Sequence, residues 1–321
     1  MNRRMFSLTV ASLAGWAEKA RAQAWPDRPI VMILAQPAGS GVDNVARLVA
    51  ERVSRGWGQT IVIENKPGGQ NLIGAQAAAR AAPNGYTFYF ATSAALVTNQ
   101  FLFKALPYNP QKDFVPVGLI GRSPFTIVVE EKSPIRSLAD LVARAKAQPG
   151  KLSIANEGPK TFGGMTARLF NARAGIETNL VSYASVSVAM QDTLGGHTDA
   201  LLADVASTAP MIKQGRLRML AVTTARRIPE YDAIPAIAES IPGFEMTGWM
   251  AIVAPTGTPA DAIQRFNRDL AAVLADKEVA DRIRVLGPIP EPGPPEKLAA
   301  FMNAERATWE QLSKEIGVLP E

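Results

Sequence analysis

From Trp25 onward, short apolar runs alternate with longer amphipathic ones, and loops rich in glycine and proline separate them. Residues 30–35 read as a buried strand, and Val45, Leu48, Val49 and Val53 share one face of a helix that reaches Trp57. Residues 60–64 form the next strand, Lys66-Pro67-Gly68-Gly69 breaks the chain, and an alanine-rich helix follows over 72–81. Pro83-Asn84-Gly85 is a turn, and 86–91 is a third strand. A strand–helix–strand–helix–strand order demands a parallel sheet covered by helices, because parallel neighbours need a long crossover between them.

A second α/β unit of similar size follows. A strand begins at Phe125 after Pro124, and Ser137 caps a helix that Pro149-Gly150 ends. Residues 151–155 and 179–183 are strands around a helix at 166–174. A helix through Ala189 and Leu194 closes at Gly195-Gly196, and 200–203 and 218–223 are further strands. The chain ends in helices: one with Ile263, Phe266, Leu270 and Val273 on a stripe, one over 277–285, and one over 296–316 with Phe301, Trp309 and Leu312 inward. Residues 288–295 are proline-rich and read as a rigid surface connector. At 321 residues the chain suits two domains, and a cleft between two α/β lobes is the expected place for a ligand.

The loop after the first strand, Gln36-Pro37-Ala38-Gly39-Ser40-Gly41-Val42-Asp43, is where chemistry is expected. It aims free N–H groups from a helix start at the space above the strand end, and the helix dipole favours an anion there. The same arrangement also serves as a plain βα turn. A second small-residue loop, Asn156-Glu157-Gly158-Pro159-Lys160-Thr161-Phe162-Gly163-Gly164, holds the matching position in the second unit. Two facing loops of this kind would grip a small anion, such as a carboxylate, from both sides.

Composition removes most catalytic chemistries. The chain has no cysteine and a single histidine, His197, which lies in a turn. Cys-ligated metals, disulfides, thiolate nucleophiles and Ser-His-Asp triads are left without parts. Gly39-Ser40-Gly41 begins a dinucleotide fingerprint, but Asn44 replaces its third glycine. Asp43, Glu64, Asp192, Asp199 and Asp204 fall near predicted loop or strand ends, where a pair of them would make an acid–base couple. The net charge of +5 is concentrated in residues 1–24; the remainder carries 30 basic and 28 acidic residues, too balanced for a nucleic-acid footprint.

Residues 1–24 read as an export signal: Arg3-Arg4, an apolar segment over 6–16, and an Ala22-Gln23-Ala24 cleavage site. The general secretory route is expected over twin-arginine export.

The order and spacing of several segments carry a family resemblance. They are Trp25-Pro26-Asp27-Arg28-Pro29-Ile30, Pro37-Ala38-Gly39 with Asp43, Val62-Ile63-Glu64-Asn65-Lys66-Pro67-Gly68 and Pro83-Asn84-Gly85-Tyr86-Thr87. Further along come Lys112-Asp113-Phe114, Ala147-Gln148-Pro149-Gly150, Gly215-Arg216-Leu217-Arg218 and Ala254-Pro255-Thr256-Gly257-Thr258-Pro259. On these the chain resembles the tripartite tricarboxylate transporter substrate-binding receptors, the Bug family of periplasmic solute-binding proteins.

The resemblance implies an α/β, two-lobed, type II periplasmic binding fold with a mainly parallel sheet in each lobe. Lobe 1 would comprise 25–123 and 249–321, and lobe 2 124–248. It implies a monomer without metal or cofactor that captures a small organic acid and passes it to integral membrane permease subunits. Ligand contacts implied in the first lobe are Pro37, Ala38, Gly39, Ser40 and Asp43, with Thr92 and Ser93 after the third strand. In the second lobe they are Gly158, Thr161, Tyr183 and Asp204. The chain departs from the family at Ser40-Gly41-Val42, at Phe162-Gly163-Gly164 and at Tyr183-Ala184-Ser185, and Lys160 adds a charge. Phe162 and Lys160 are therefore expected to favour an aromatic or bulkier carboxylate. A periplasmic sensor, or an enzyme using a carboxylate pair, is the alternative reading.

Overall fold

The computed structural model describes residues 25–320; the export-signal expectation for 1–24 lies outside the described residues. In chain order the first elements are β1 (Ile30–Leu34), α1 (Gly41–Trp57), β2 (Ile61–Asn65), α2 (Leu72–Ala79) and β3 (Thr87–Thr92). A wide turn over Ala94–Thr98 leads into the short α3 (Asn99–Leu102) and the long β4 (Phe114–Glu130). Then come α4 (Leu138–Ala147), β5 (Ser153–Asn156), α5 (Phe162–Ala174), β6 (Asn179–Ser182), α6 (Val186–Leu194), β7 (Ala200–Asp204), α7 (Val205–Lys213) and β8 (Leu217–Val222). The chain closes with β9 (Thr247–Pro255), α8 (Ala260–Ala275), α9 (Lys277–Val285), β10 (Ile289–Pro290) and α10 (Pro295–Glu315).

Local chemistry sets the helix ends. The Ser40 hydroxyl accepts from the Asp43 amide at 3.2 Å at the start of α1, and Gly58 ends the helix at φ +64°, a left-handed cap that glycine adopts without a Cβ clash. Ser137, Thr161, Ser185 and Asp204 cap α4, α5, α6 and α7 in the same way. Helix α5 starts four residues earlier than its sequence suggests. Gly163 and Gly164 look like loop residues, but the Thr161 cap draws them into the first turn.

The parallel units form as expected: β2–β1–β3 in one sheet and β6–β5–β7 in the other. Between them stand β9 and β4, antiparallel to each other and to their outer neighbours β3 and β7. Sequence reading finds neither β9 nor the first half of β4. Every residue of β9 is buried, so it shows no alternation of apolar and polar side chains. Pro124 does not start a strand; it lies within β4, paired with Thr247, at the last position before β4 changes partners from β9 to β7 and β8. A residue without an N–H fits where one ladder stops and the next begins. The 288–295 segment is not a free connector. Ile289 and Pro290 pair with Arg122 and Gly121, and the Glu291 amide donates to the Ile120 carbonyl at 3.1 Å.

Strand alternation divides the core. Ile30, Met32, Leu34, Phe88 and Phe90 pack under α1 and α8, against Val45, Val49, Phe266 and Leu270. The opposite faces, Ile33, Tyr89 and Ala91, belong to a cluster that continues through Leu119, Ile127, Ile154 and Leu202. Leu298, Met302, Trp309 and Leu312 of α10 complete it, so this helix covers one face of both sheets. The remaining face of the second sheet packs Val128, Ala155, Leu201 and Ala203 against α6 and α7.

Candidate functional site

Sheet register places the site. Thr92, at the carboxyl end of β3, pairs with Met250 of β9, which pairs with Gly121 of β4. Asp204, at the carboxyl end of β7, pairs with Phe125 of β4. The carboxyl edges of both parallel units therefore converge on β4, four residues or about 13 Å apart at ~3.3 Å per residue. The loops that follow β1, β3, β5 and β7 all open there. Thr223 ties the two segments that cross at this point. It is fully buried; its amide donates to the Phe125 carbonyl at 2.9 Å, its hydroxyl accepts from the Phe125 amide at 3.1 Å, and the same hydroxyl donates to the Met246 carbonyl.

In the first loop Pro37, Ala38, Gly39 and Gly41 are exposed, and Ser40 is half-buried. Gly39 takes φ +81°, a left-handed conformation that disfavours other residues. Among the described residues, the Gly41 and Val42 amides at the start of α1 have no protein acceptor. Asp43 holds this shape from inside. Its carboxylate is 1 % exposed and accepts from the Gly39 amide at 2.8 Å, Arg47 Nε at 2.8 Å and Asn65 Nδ2 at 2.9 Å. Burial opposes that charge, and the hydrogen bonds and the Arg47 guanidinium outweigh it, holding the carboxyl below its ordinary range. The Asp43 carboxylate is therefore occupied within the loop.

Beside this loop runs a polar ladder that sequence reading missed. Gln36 Nε2 donates to Asn71 Oδ1 at 2.7 Å, and Asn71 Nδ2 donates to Thr92 Oγ1 at 3.3 Å. Gln70 and Asn71 both have positive φ, 54° and 75°. Non-glycine residues rarely hold this conformation without surrounding constraint. The only sequence signal was an asparagine two residues after Gly68-Gly69. Ser93 is buried at the start of the wide turn after β3.

The second loop is organised around its own polar groups. Gly158 has φ +137°, and its carbonyl accepts from the Thr161 amide at 3.3 Å and the Thr161 hydroxyl at 2.8 Å. That hydroxyl also accepts from the Gly164 amide at 3.1 Å. Glu157 Oε1 accepts from the Gly163 amide at 3.0 Å. Phe162 packs between Phe125 of β4 and Trp309 of α10, with ring centroids 4.9 and 5.9 Å away. Lys160 places its ammonium 5.2 Å from the Phe103 ring centroid, which joins this loop to the segment after α3.

Two further side chains expected at the site also have protein partners, as Asp43 has. The Tyr183 hydroxyl donates to Asp192 Oδ2 of α6 at 2.7 Å, so it is turned toward a helix of its own unit. Asp204 caps α7: Oδ1 accepts from the Ser207 amide at 2.8 Å and Oδ2 from the Ser207 hydroxyl at 2.7 Å. Asp199 is occupied by the Ser153 amide and hydroxyl, and Glu64 lies 2.7 Å from Lys66. These acids are structural partners, each explained by its own contacts. His197 is exposed in its turn.

The first loop approaches the start of α7. A Cβ on Gly41 would lie 3.8 Å from Ala206 Cβ of α7, and a Cβ on Gly287, after α9, would lie 2.5–2.7 Å from Ala206. The amino-terminal ends of α1 and α7 thus lie side by side, and Phe162 at the start of α5 packs on Phe125 at the β4 crossing. Each end carries partial positive charge, which suits an anion. No group of His, Cys, Asp and Glu among the described residues could hold a metal ion. No described helix is long and apolar enough to cross a membrane.

A model of the tripartite tricarboxylate transporter family receptor matches residues 45–318. The chain belongs to that family. Members are periplasmic solute-binding proteins, and the receptor described here is likewise a solute receptor rather than an enzyme. It is 36% identical over 301 residues to a UPF0065 protein of Bordetella bronchiseptica, covering 94% of this chain and 89% of the relative. Among solved structures, R. palustris Rpa4515 with adipate superposes with a TM-score of 0.86 at 32% identity, covering 92% of this chain and all of that one. MatC from Rhodopseudomonas palustris with bound malate superposes with a TM-score of 0.79 at 25% identity, covering 90% and 99%. The two-lobed architecture is common to these proteins and to this receptor.

Proposed function

We propose that the receptor captures a small organic acid between two lobes and delivers it to integral membrane permease subunits of a tripartite tricarboxylate transporter. The lobes are residues 25–123 with 249–321, and residues 124–248, joined where β4 changes partners. Residues 1–24 direct export by the general secretory route, and the mature chain works as a monomer in the periplasm. One observation carries the reading: the Gly41 and Val42 amides at the start of α1 are unfilled, and that helix start lies against the start of α7 at Ala206. A carboxylate is the anion that such amides and dipoles bind without a strong ion pair. The adipate and malate of the two related structures support that class.

Pro37, Ala38, Gly39 and Ser40 would form the first-lobe wall with Thr92 and Ser93, and Gly158, Thr161 and Phe162 the opposite one. Asp43, Asp204 and Tyr183 serve by holding their loops and helices. Phe162, already in contact with Phe125 and Trp309, offers an aromatic floor that favours a bulkier acid. Calorimetric titration with aliphatic mono-, di- and tricarboxylates and with aromatic acids tests this. Micromolar binding of at least one acid is expected, about −8 kcal/mol. Binding of sugars or cations with no response to any acid would overturn the reading.

A further inference from the structure

Two buried polar atoms at the end of β5 lack a well-formed hydrogen bond, and they are complementary; the Thr161 hydroxyl beside the Glu157 carboxyl donates to the Gly158 carbonyl instead. Glu157 Oε2 is an acceptor closed off from solvent, although Oε1 of the same carboxyl is held by the Gly163 amide. Asn156 Nδ2 is a donor on a side chain 1 % exposed. The Asn156 amide cannot turn over, because its Oδ1 already accepts from the Gly158 amide at 3.0 Å and the Ser182 hydroxyl at 3.1 Å. An unpaired buried polar atom costs about 1–3 kcal/mol, so neither is expected in a loop that has no further use for it.

Space for the Glu157 carboxyl is built in. A Cβ on Gly163 would lie 2.3 Å from Oε2 and 2.7 Å from Oε1, so only glycine leaves room for it there. The neighbouring acids do not share its condition. Asp43 is saturated by Gly39, Arg47 and Asn65, and Asp204 by Ser207. Burial, with the Asp204 charge nearby, pushes the Glu157 carboxyl up to about 7, as expected of an acid held without a counter-charge.

We propose that Glu157 is a specificity-determining residue of the interlobe site, accepting a hydrogen bond from a hydroxyl or ammonium group that the ligand carries beside its carboxylate. Asn156 Nδ2 is the matching donor to a ligand oxygen. The receptor then selects hydroxy or amino acids over the unsubstituted acid of the same length. This rests on the carboxylate reading above and names the substituent that reading leaves open.

The test is calorimetric titration of the purified protein at pH 8 with two matched series. One is succinate, L-malate and L-aspartate; the other is adipate with its 2-hydroxy and 2-amino derivatives. One charge-assisted hydrogen bond predicts that a substituted acid binds about tenfold or more tighter than its parent. In Glu157→Gln, which keeps an acceptor for the Gly163 amide but puts an NH2 in place of Oε2, that ratio should collapse to about twofold or less. Hydroxyl-only or ammonium-only preference separates the two donors. Equal or tighter binding of the parent acids by the wild-type protein overturns the proposal, whatever the variant does. So does a preference that survives in a folded Glu157→Gln protein. Parent acids binding without any donor preference defeats this proposal alone; no binding in either series defeats the carboxylate reading with it.

Discussion

Single residues in this receptor divide into those whose polar groups are consumed in holding the loops and those whose polar groups are left unfilled. Asp43, Asp204 and Tyr183 carry groups that sequence alone marks as ligand contacts, yet each is consumed by a neighbour: Arg47 and Asn65, Ser207, or Asp192. Asp43→Ala should therefore destabilise the fold by about 1–3 kcal/mol, because the Gly39 amide and Asn65 lose their acceptor while Arg47 stays half-exposed, and lower the urea midpoint. Glu157 behaves in the opposite way. Its carboxyl is raised from 4.5 to about 7 in the folded protein, so folding is favoured while it is protonated. Its stabilising effect is complete below about pH 4.5 and is lost as pH rises through about 7, a change of about 3 kcal/mol at ~1.4 kcal/mol per unit. Urea melts of wild type and Glu157→Gln from pH 4 to 8 should show this decline only in the wild type; parallel curves would contradict it.

At the scale of elements, the β5–α5 turn shows how glycines shape a helix start. A Cβ on Gly164 would lie 2.0 Å from the Gly158 carbonyl oxygen, so Gly164→Ala must break the Thr161 cap or move the backbone. It should cost a few kcal/mol and abolish the melting-temperature increase caused by a bound acid. Gly175→Ala at the other end of α5 meets nothing within 4 Å and should cost about 1 kcal/mol from its left-handed φ alone, leaving that increase intact. Most element boundaries in the parallel units were legible because caps and glycines punctuate them, the start of α5 excepted, where Gly163 and Gly164 lie inside the helix. β9 was not, because a strand buried on both faces has no alternation to read. The Gln36–Asn71–Thr92 ladder was illegible for a different reason: its members come from the loop after β1, the turn before α2 and the end of β3, which only the sheet brings side by side.

For the whole molecule, the decisive contacts lie where the chain crosses between its two sheets. Thr223 bonds to Phe125 and Met246, one on each crossing segment. Thr223→Val keeps the shape and removes the hydroxyl, which should lower stability by about 1–3 kcal/mol with little change in the urea m-value. Gly287, at φ +102°, permits Ala206 of α7 to come close to the turn after α9. Gly287→Ala should hold the two apart, weaken acid binding at least severalfold, and enlarge the radius of gyration of the liganded protein in small-angle scattering. An unchanged affinity would show that this approach has no part in ligand capture.

The sequence by itself determined two parallel α/β units, a small-residue loop at the start of each, the absence of thiol and Cys-ligated metal chemistry, and the family. Those properties are local: helix period, capping residues, glycine placement and composition are written over a few consecutive residues. Only the tertiary structure decided that β4 and β9 stand antiparallel at the centre, that both carboxyl edges meet at Gly121–Phe125, and which polar groups remain unfilled. Whether Asp43 or Glu157 faces a ligand depends on partners such as Asn65 and Gly163, whose proximity exists only after the chain has folded.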